Sequence, residues 1–295
     1  MKTRIDMPNL ILTKLVKHIG RSAWFFRDRV RFRDYARHSQ LPIILCYSMG
    51  KVGSTSILRT LKSTRYAQGA QHLHFLNPET LPTIHDIHRM AGFKEAPAHL
   101  KATESFNEVR SAIDPDRLFV IMAVRDPVAF AISDFFQNPY FFKDFDLELT
   151  ERNAAQIERY LRDVVLAPTS SSFRYWNEWL SKEMEDVFDF RFSDHQFDQL
   201  KGWAVLDCDQ AKIGCIQLET MSDEFQNFTL ALLGERIPLN GRIANQRSNQ
   251  QKFYGQLIQR LSLSRGHLEQ IYASSRVRYF YSDEQIERFM QRWQK

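Results

Sequence analysis

The chain has 295 residues, 43% hydrophobic and 25% charged, with 23 Phe, 10 Tyr and 5 Trp; that apolar inventory excludes a mainly disordered chain, and 11 Gly with 10 Pro exclude a collagen-like one. The net charge of +5 is concentrated at one end: residues 1–40 hold 10 basic and 3 acidic side chains, leaving 30 basic against 32 acidic in residues 41–295. A body so close to neutral does not indicate a fold built as a basic nucleic-acid surface, and the high pI says little about its partner.

Residues 1–40 read as a basic amphipathic helical extension, with Leu12, Leu15, Val16, Ile19, Trp24 and Phe25 among Lys14, Lys17, Arg21, Arg27, Arg29, Arg31, Arg33 and Arg37. Such a segment either packs on the domain with a solvated basic face or attaches to anionic lipid. After Pro42 the run Ile43-Ile44-Leu45-Cys46-Tyr47 has buried-strand character. It ends in the polar loop Ser48-Met49-Gly50-Lys51-Val52-Gly53-Ser54-Thr55-Ser56, and helical spacing then begins at Ile57, Leu58 and Leu61. Gln71 to Phe75 is a second expected strand, with His72 and His74 on one face. Leu118 to Val124 is a third, running into Arg125-Asp126-Pro127 and a helix through Ile132 to Phe136.

Residues 151 to 188 are expected to be helical, Trp203 to Leu206 and Ile213 to Leu218 strand-like, and the remainder helical, its last helix opening with Ser282 and Gln285 as a capping box. Strands alternating with helices predict α/β architecture around a mostly parallel sheet. No linker interrupts residues 41–295, so they read as one domain. Cys46, Cys208 and Cys215 have neither CxxC nor zinc spacing, and no apolar run reaches the roughly 18 to 20 residues of a bilayer span. With no signal-peptide pattern at the N-terminus, the expectation is a cytoplasmic protein, peripheral at the inner membrane if residues 1–40 bind lipid.

A strand, a Gly-bearing loop and a helix N-terminus together make an anion site, because unpaired backbone N–H groups and the helix dipole converge there. Gly50 and Gly53 permit close approach, Lys51 adds a cation, and Ser54, Thr55 and Ser56 add hydroxyls. The nucleotide triphosphatase loop G-x-x-x-x-G-K-[ST] is not matched, since the lysine stands two residues before Gly53. Arg125, leaving a buried strand eight residues before Ser133, brings a guanidinium fork and a hydroxyl toward one phosphate. Each motif also has a plain structural reading, as a polar strand-to-helix turn and as an Arg125-Asp126 surface pair.

Together the motifs resemble the sulfotransferases that use 3′-phosphoadenosine 5′-phosphosulfate (PAPS), in which a first loop binds the 5′-phosphosulfate and an R-[DE]-P-x(5)-S segment binds the 3′-phosphate. More narrowly, Tyr47 to Ser56, Ser133-Asp134-Phe135-Phe136-Gln137-Asn138 and Phe280-Tyr281-Ser282-Asp283-Glu284 are similar to bacterial proteins described as capsular polysaccharide synthesis proteins. Ile213 to Glu219 and Asn245 to Tyr254, including Lys252, look like weaker matches; Phe130 and Phe253 depart from the family's Arg and Trp.

The resemblance implies a P-loop-type three-layer domain over residues 41–295, with helices on both faces of the sheet. It implies transfer of a sulfuryl group from PAPS to a hydroxyl of a saccharide or glycolipid, in polysaccharide biosynthesis such as capsule formation, with no metal. Lys51 would stabilise the bridging oxygen, and Val52, Gly53, Ser54, Thr55 and Ser56 would hold the 5′-phosphate. Arg125 and Ser133 would hold the 3′-phosphate, with Lys252 nearby. His74 would be the general base, with Glu104 the alternative, and both histidines have a structural reading. His99 and Lys101 are expected in a loop able to meet an acidic saccharide, and Asn138-Pro139-Tyr140-Phe141-Phe142 either lines an acceptor cleft or belongs to the core. The competing functions are a P-loop nucleotide kinase and a non-catalytic capsule-assembly binding protein on the same fold.

Overall fold

The computed structural model describes residues 29–92, 95–139, 142, 145, 148–240 and 248–294, the last range without the side chains of 248–252. Helix α1, residues 29–38, buries Phe32, Tyr35 and Ala36 in the main core. Arg33 forms an ion pair with Glu108 at 3.1 Å, and Arg29 pairs with the same carboxylate. This stretch of the expected extension is therefore packed on the domain; residues 1–28, where the lipid reading falls, lie outside the described residues.

Five strands form one sheet: β1 (Ile43–Tyr47), β2 (Ala70–Leu73), β3 (Leu118–Val124), β4 (Trp203–Cys208) and β5 (Ala211–Gln217), in the order β2-β1-β3-β5-β4. β2, β1, β3 and β5 are parallel, and β4 is an antiparallel edge strand hairpinned to β5. Every residue of β1 is buried, as are six of the seven in β3 and in β5. Strands that are apolar along their length rather than alternating must be covered on both faces, which explains the continuous runs in the sequence.

Helix α2 (Ser54–Lys62) follows β1, α3 (Leu81–Met90) and α4 (Ala98–Asn107) lie between β2 and β3, and α5 (Pro127–Gln137) follows β3. His99 and Lys101, expected in a loop, are on α4. The stretch 151–188 is α6 (Ala154–Tyr160) with a π-turn to Val165, a break, then α7 (Ser171–Trp179) with a second π-turn and the short α8 (Asp186–Phe188). After the β4–β5 hairpin come α9 (Met221–Leu233), α10 (Ser248–Arg260), α11 (Arg265–Tyr272), α12 (Ser275–Phe280) and α13 (Asp283–Trp293). The expected capping box opens α13: Ser282 Oγ accepts from Gln285 N, and Gln285 Oε1 accepts from Ser282 N. Among the described residues no helix is long and apolar enough to cross a membrane.

The chain leaves β1 for β2 on one side and returns past β1 to β3 on the other. Connections therefore diverge beyond the carboxyl ends of β1 and β3, the crevice where open α/β sheets bind ligands.

Candidate functional site

A cavity of about 1060 Å³ opens over that crevice. The loop after β1 enters it with Lys51 at φ 65° and Gly53 at φ 90°. At Gly53 the left-handed backbone favours glycine, and a Cβ there would stand 2.6 Å from Leu218 Cδ1, so that side chain would have to shift. Gly53 is the N-cap of α2; no side chain caps this end, and the first turn carries no acid. The positive end of the helix dipole therefore meets the cavity with no acid in its own first turn, and the carboxylate of Asp134, which lines the same cavity, lies close enough to Lys51 to feel its charge.

Lys51, Gly53, Ser54, Thr55 and Ser56 all line the cavity, as do Arg125 and His74. Lys51 Nζ donates to Gln137 Oε1 at 2.5 Å, a neutral acceptor at the far end of α5. Arg125 Nη1 donates to the Lys51 carbonyl at 3.0 Å, so the residue just past β3 braces the loop just past β1. Val52 is fully buried and Ser133 is 1% exposed; neither side chain lines the cavity. Arg125 thus lines the cavity and Ser133, expected beside it, does not. The α5 face turned to the cavity carries Phe130, Asp134 and Gln137, while Ser133 lies on the buried side. Lys252 is in α10, with its side chain outside the described residues, and Asn245, Tyr140 and Phe141 are outside them altogether.

The parallel register Tyr47↔Leu73 sets Ser48 beside His74. His74 Nδ1 donates to the Ser48 carbonyl at 2.5 Å, which assigns the proton to Nδ1 and leaves Nε2 with its lone pair. Trp179 Nε1 donates to the His74 carbonyl at 2.7 Å and fixes the backbone. His72 Nε2 and Ser54 Oγ are hydrogen-bonded at 2.9 Å, joining β2 to the first residue of α2. Rings of His72 and His74 stand 4.5 Å apart, and those of His74 and His99 4.8 Å. Burial lowers the pKa of all three, to about 3 for His99, and mutual repulsion between the imidazolium forms lowers those of His72 and His99 further. The cluster is therefore neutral at pH 7, with His74 in its basic form. Glu104 lines a separate cavity of about 390 Å³ and is absent from the main one.

Two buried carboxylates hold the frame. Glu183 Oε2 accepts from Tyr47 OH at 2.5 Å, Leu76 N at 2.7 Å and Asn77 N at 2.8 Å, and Oε1 accepts from Thr80 Oγ1. This ties the segment after His74 to the end of β1. Asp126 caps α5 through Val128 N at 3.0 Å and accepts from Tyr272 OH at 2.7 Å and Trp293 Nε1 at 2.9 Å. Its own N–H donates to Glu219 Oε1 at 2.9 Å, and Glu219 Oε2 accepts from Tyr281 OH at 3.0 Å. Arg125 thus projects from a backbone anchored on both sides, and the Arg125-Asp126 surface pair is not formed.

Of the segment expected to line a cleft or the core, Asn138 and Phe142 line the cavity. Ile84, Ile87 and Met90 of α3, which sequence did not single out, add an apolar side; α3 buries none of its residues. Phe130 stacks on Tyr175 of α7, with ring centroids 6.2 Å apart and an interplanar angle of 21°. Ser171 and Ser172 at the start of α7 also reach the cavity. The triplet Ser170-Ser171-Ser172 ahead of an aromatic periodic run is a helix-start signature that could have flagged them. Among the described residues no group of three His, Cys, Asp or Glu side chains is placed to hold a metal ion. Comparison with protein-family models, with curated proteins and with solved structures finds no match.

Proposed function

We propose that the protein is a PAPS-dependent sulfotransferase acting on a hydroxyl of a saccharide or glycolipid, on a three-layer P-loop-type domain. The observation that carries this reading is the meeting, in one cavity, of an uncapped helix N-terminus with Lys51, of Arg125, and of a neutral histidine whose Nε2 lone pair is fixed by its Nδ1–H bond to Ser48. The anion loop fits a phosphosulfate through Gly53, Ser54, Thr55 and Ser56, with Ser54 oriented by His72. Arg125 supplies a guanidinium for the second phosphate, which distinguishes this donor from a simple nucleotide; the buried position of Ser133 leaves that hydroxyl without direct access in the present arrangement. Bound PAPS would supply an activated sulfuryl group.

His74 Nε2 takes the proton of the acceptor hydroxyl, and its neutral state at pH 7 makes it ready to do so. Lys51 offsets negative charge at the loop. A kinase of the triphosphatase type is less well supported, because Lys51 lies in the left-handed turn before α2 and not at the helix start that the G-K-[ST] geometry requires. The non-catalytic binding reading gives no role to the fixed tautomer of His74.

Isothermal titration with 3′-phosphoadenosine 5′-phosphate (PAP) tests the reading. Binding weakened at least tenfold by Arg125→Ala is expected; no binding, or binding indifferent to that change, overturns it. Labelled-sulfate transfer abolished by His74→Ala with PAP affinity retained separates the enzyme from a binding protein.

A further inference from the structure

We infer that Asp134 is a further residue for binding the sulfuryl donor, one that takes up a proton from solvent as the anion enters and shares it with an anion oxygen, so that anion binding is coupled to proton uptake. This rests on the transferase reading only for the identity of the anion.

Asp134 stands one turn of α5 before Gln137, and both side chains line the cavity. Gln137 Oε1 accepts from Lys51 Nζ at 2.5 Å, and residues three apart on a helix have Cβ atoms about 5–6 Å apart, so the Asp134 carboxyl and the Lys51 ammonium occupy one corner of the site. Asp134 Oδ1 accepts from Asn138 Nδ2 at 2.8 Å. Among the described residues Oδ2 accepts no hydrogen bond, and it is not closed off by the protein, so it is open to a ligand.

An oxyanion that reaches Lys51 meets this carboxyl. Two acceptor-only groups repel, whereas one proton between them makes a hydrogen bond. Asp134 is set up to hold that proton: burial raises its pKa from the ordinary 3.8, against the lowering effects of Asn138 and Lys51. When Lys51 gives its charge to an anion, the second of these weakens, and the anion's own charge raises the pKa further. A group with a higher pKa in the complex than in the free protein makes the complex the more protonated state. Affinity therefore rises as pH falls through the interval between the two values.

The other charged and titratable groups of the cavity leave this role to Asp134. Lys51 and Arg125 face it as cations. Tyr175 of α7 stays a phenol, because burial, and after it the charge of Asp134, push its pKa well above the ordinary tyrosine value. On the opposite walls His72, His74, His88 and His99 are neutral at pH 7, their pKa values lowered first by burial. The π-turn after α6 and α11, packed elsewhere on α5, bring no charged side chain to the cavity.

The test is titration of the full chain with adenosine 5′-phosphosulfate (APS), whose own groups do not titrate between pH 5.5 and pH 8.0, at constant ionic strength across that range. Protons taken up are counted at pH 6.5 from the heats in Bis-Tris and in imidazole, cationic buffers of different ionisation enthalpy. Wild-type affinity is expected to fall about tenfold from pH 5.5 to pH 8.0, with net proton uptake on binding, as a pKa one unit higher in the complex requires. Asp134→Asn keeps the shape and the oxygen that Asn138 bonds, and supplies a permanent hydrogen-bond donor. Its affinity should vary less than twofold with pH and match or exceed that of the wild type at pH 8.0. Asp134→Ala should also lose the pH dependence but bind at least threefold more weakly than Asp134→Asn. A pH-independent wild type overturns the proposal. So does a pH dependence that survives in Asp134→Asn, which assigns the proton to the histidines, and so does equal affinity of the Ala and Asn variants, which leaves the carboxyl acting through its charge alone. Inorganic sulfate, read by its shift of the melting temperature, is a second probe that needs no nucleotide recognition, and failure of both APS and sulfate to bind also overturns it. The PAP titration decides the transferase reading separately: if PAP binds and the pH dependence is absent, the coupling falls alone. If PAP does not bind and sulfate shows a pH dependence lost in Asp134→Asn, the coupling stands and the transferase reading falls.

Discussion

Replacing His99 by Phe should flatten the pH dependence of stability. The native His99 imidazole has its pKa pushed down to about 3 by burial and by His74 and His88 beside it, whereas the unfolded chain restores a pKa of about 6.5. A folded-state pKa lowered in this way gives stability that is fully present above the unfolded value and lost as pH falls toward the folded one. Between pH 7.5 and pH 5.0 the unfolded chain gains nearly one proton at this position that the native chain does not, which costs the native state about 2 kcal/mol. Phe has no proton to gain, and the Nε2 it removes has no hydrogen-bond partner in the fold. Urea unfolding followed by tryptophan fluorescence, for both proteins at both pH values, measures the difference. The variant should lose about 2 kcal/mol less than the parent between the two pH values. Identical losses to within about 0.5 kcal/mol would mean that His99 titrates alike in both states, and the neutral-cluster account of His74 would fall with it.

Glu183→Gln keeps one oxygen for Tyr47, Leu76 and Asn77 but makes those hydrogen bonds neutral, and turns an amide donor toward Thr80 Oγ1, whose proton can pass to the Asn77 carbonyl. A loss of about 1–3 kcal/mol is expected, read as a fall in the urea midpoint at constant slope. Gly53→Ala forces a Cβ against Leu218 and a left-handed backbone on an L-residue. It should cost about 1–2 kcal/mol in melting experiments and weaken PAP binding more than Gly50→Ala, where a Cβ meets nothing within 4 Å.

β1 and β3 were legible because strands buried on both faces must be apolar without alternation, and the runs Ile43–Tyr47 and Leu118–Val124 match the observed strands residue for residue. The capping box at Ser282 was legible because its chemistry is local. α3 was not, since a helix that buries none of its residues has no packing requirement that the sequence must record. α4 was hidden by its mixture of His99, Lys101 and Glu104 with few apolar positions, though it carries one member of the histidine cluster. Lys51, Gly53, Ser54, Thr55 and Ser56 come to one cavity because strand, loop and helix are consecutive. Ser133 does not follow, since an eight-residue spacing from Arg125 specifies neither which side of α5 turns inward nor what covers it. The tautomer of His74 depends on the β1–β2 register, and the Glu183 hub joins residues more than a hundred positions apart; no local pattern encodes either.

The hydrogen bond from Trp293 to Asp126 spans 167 residues of sequence. At about 5–20 residues per second, ribosomal synthesis of that interval takes on the order of 10–30 seconds. For all that time the backbone beside Arg125 lacks its last side-chain anchor, and Gly53 likewise waits for Leu218 and Met221 to pack against it. The order of synthesis therefore makes α13 the last element able to fix the turn after β3.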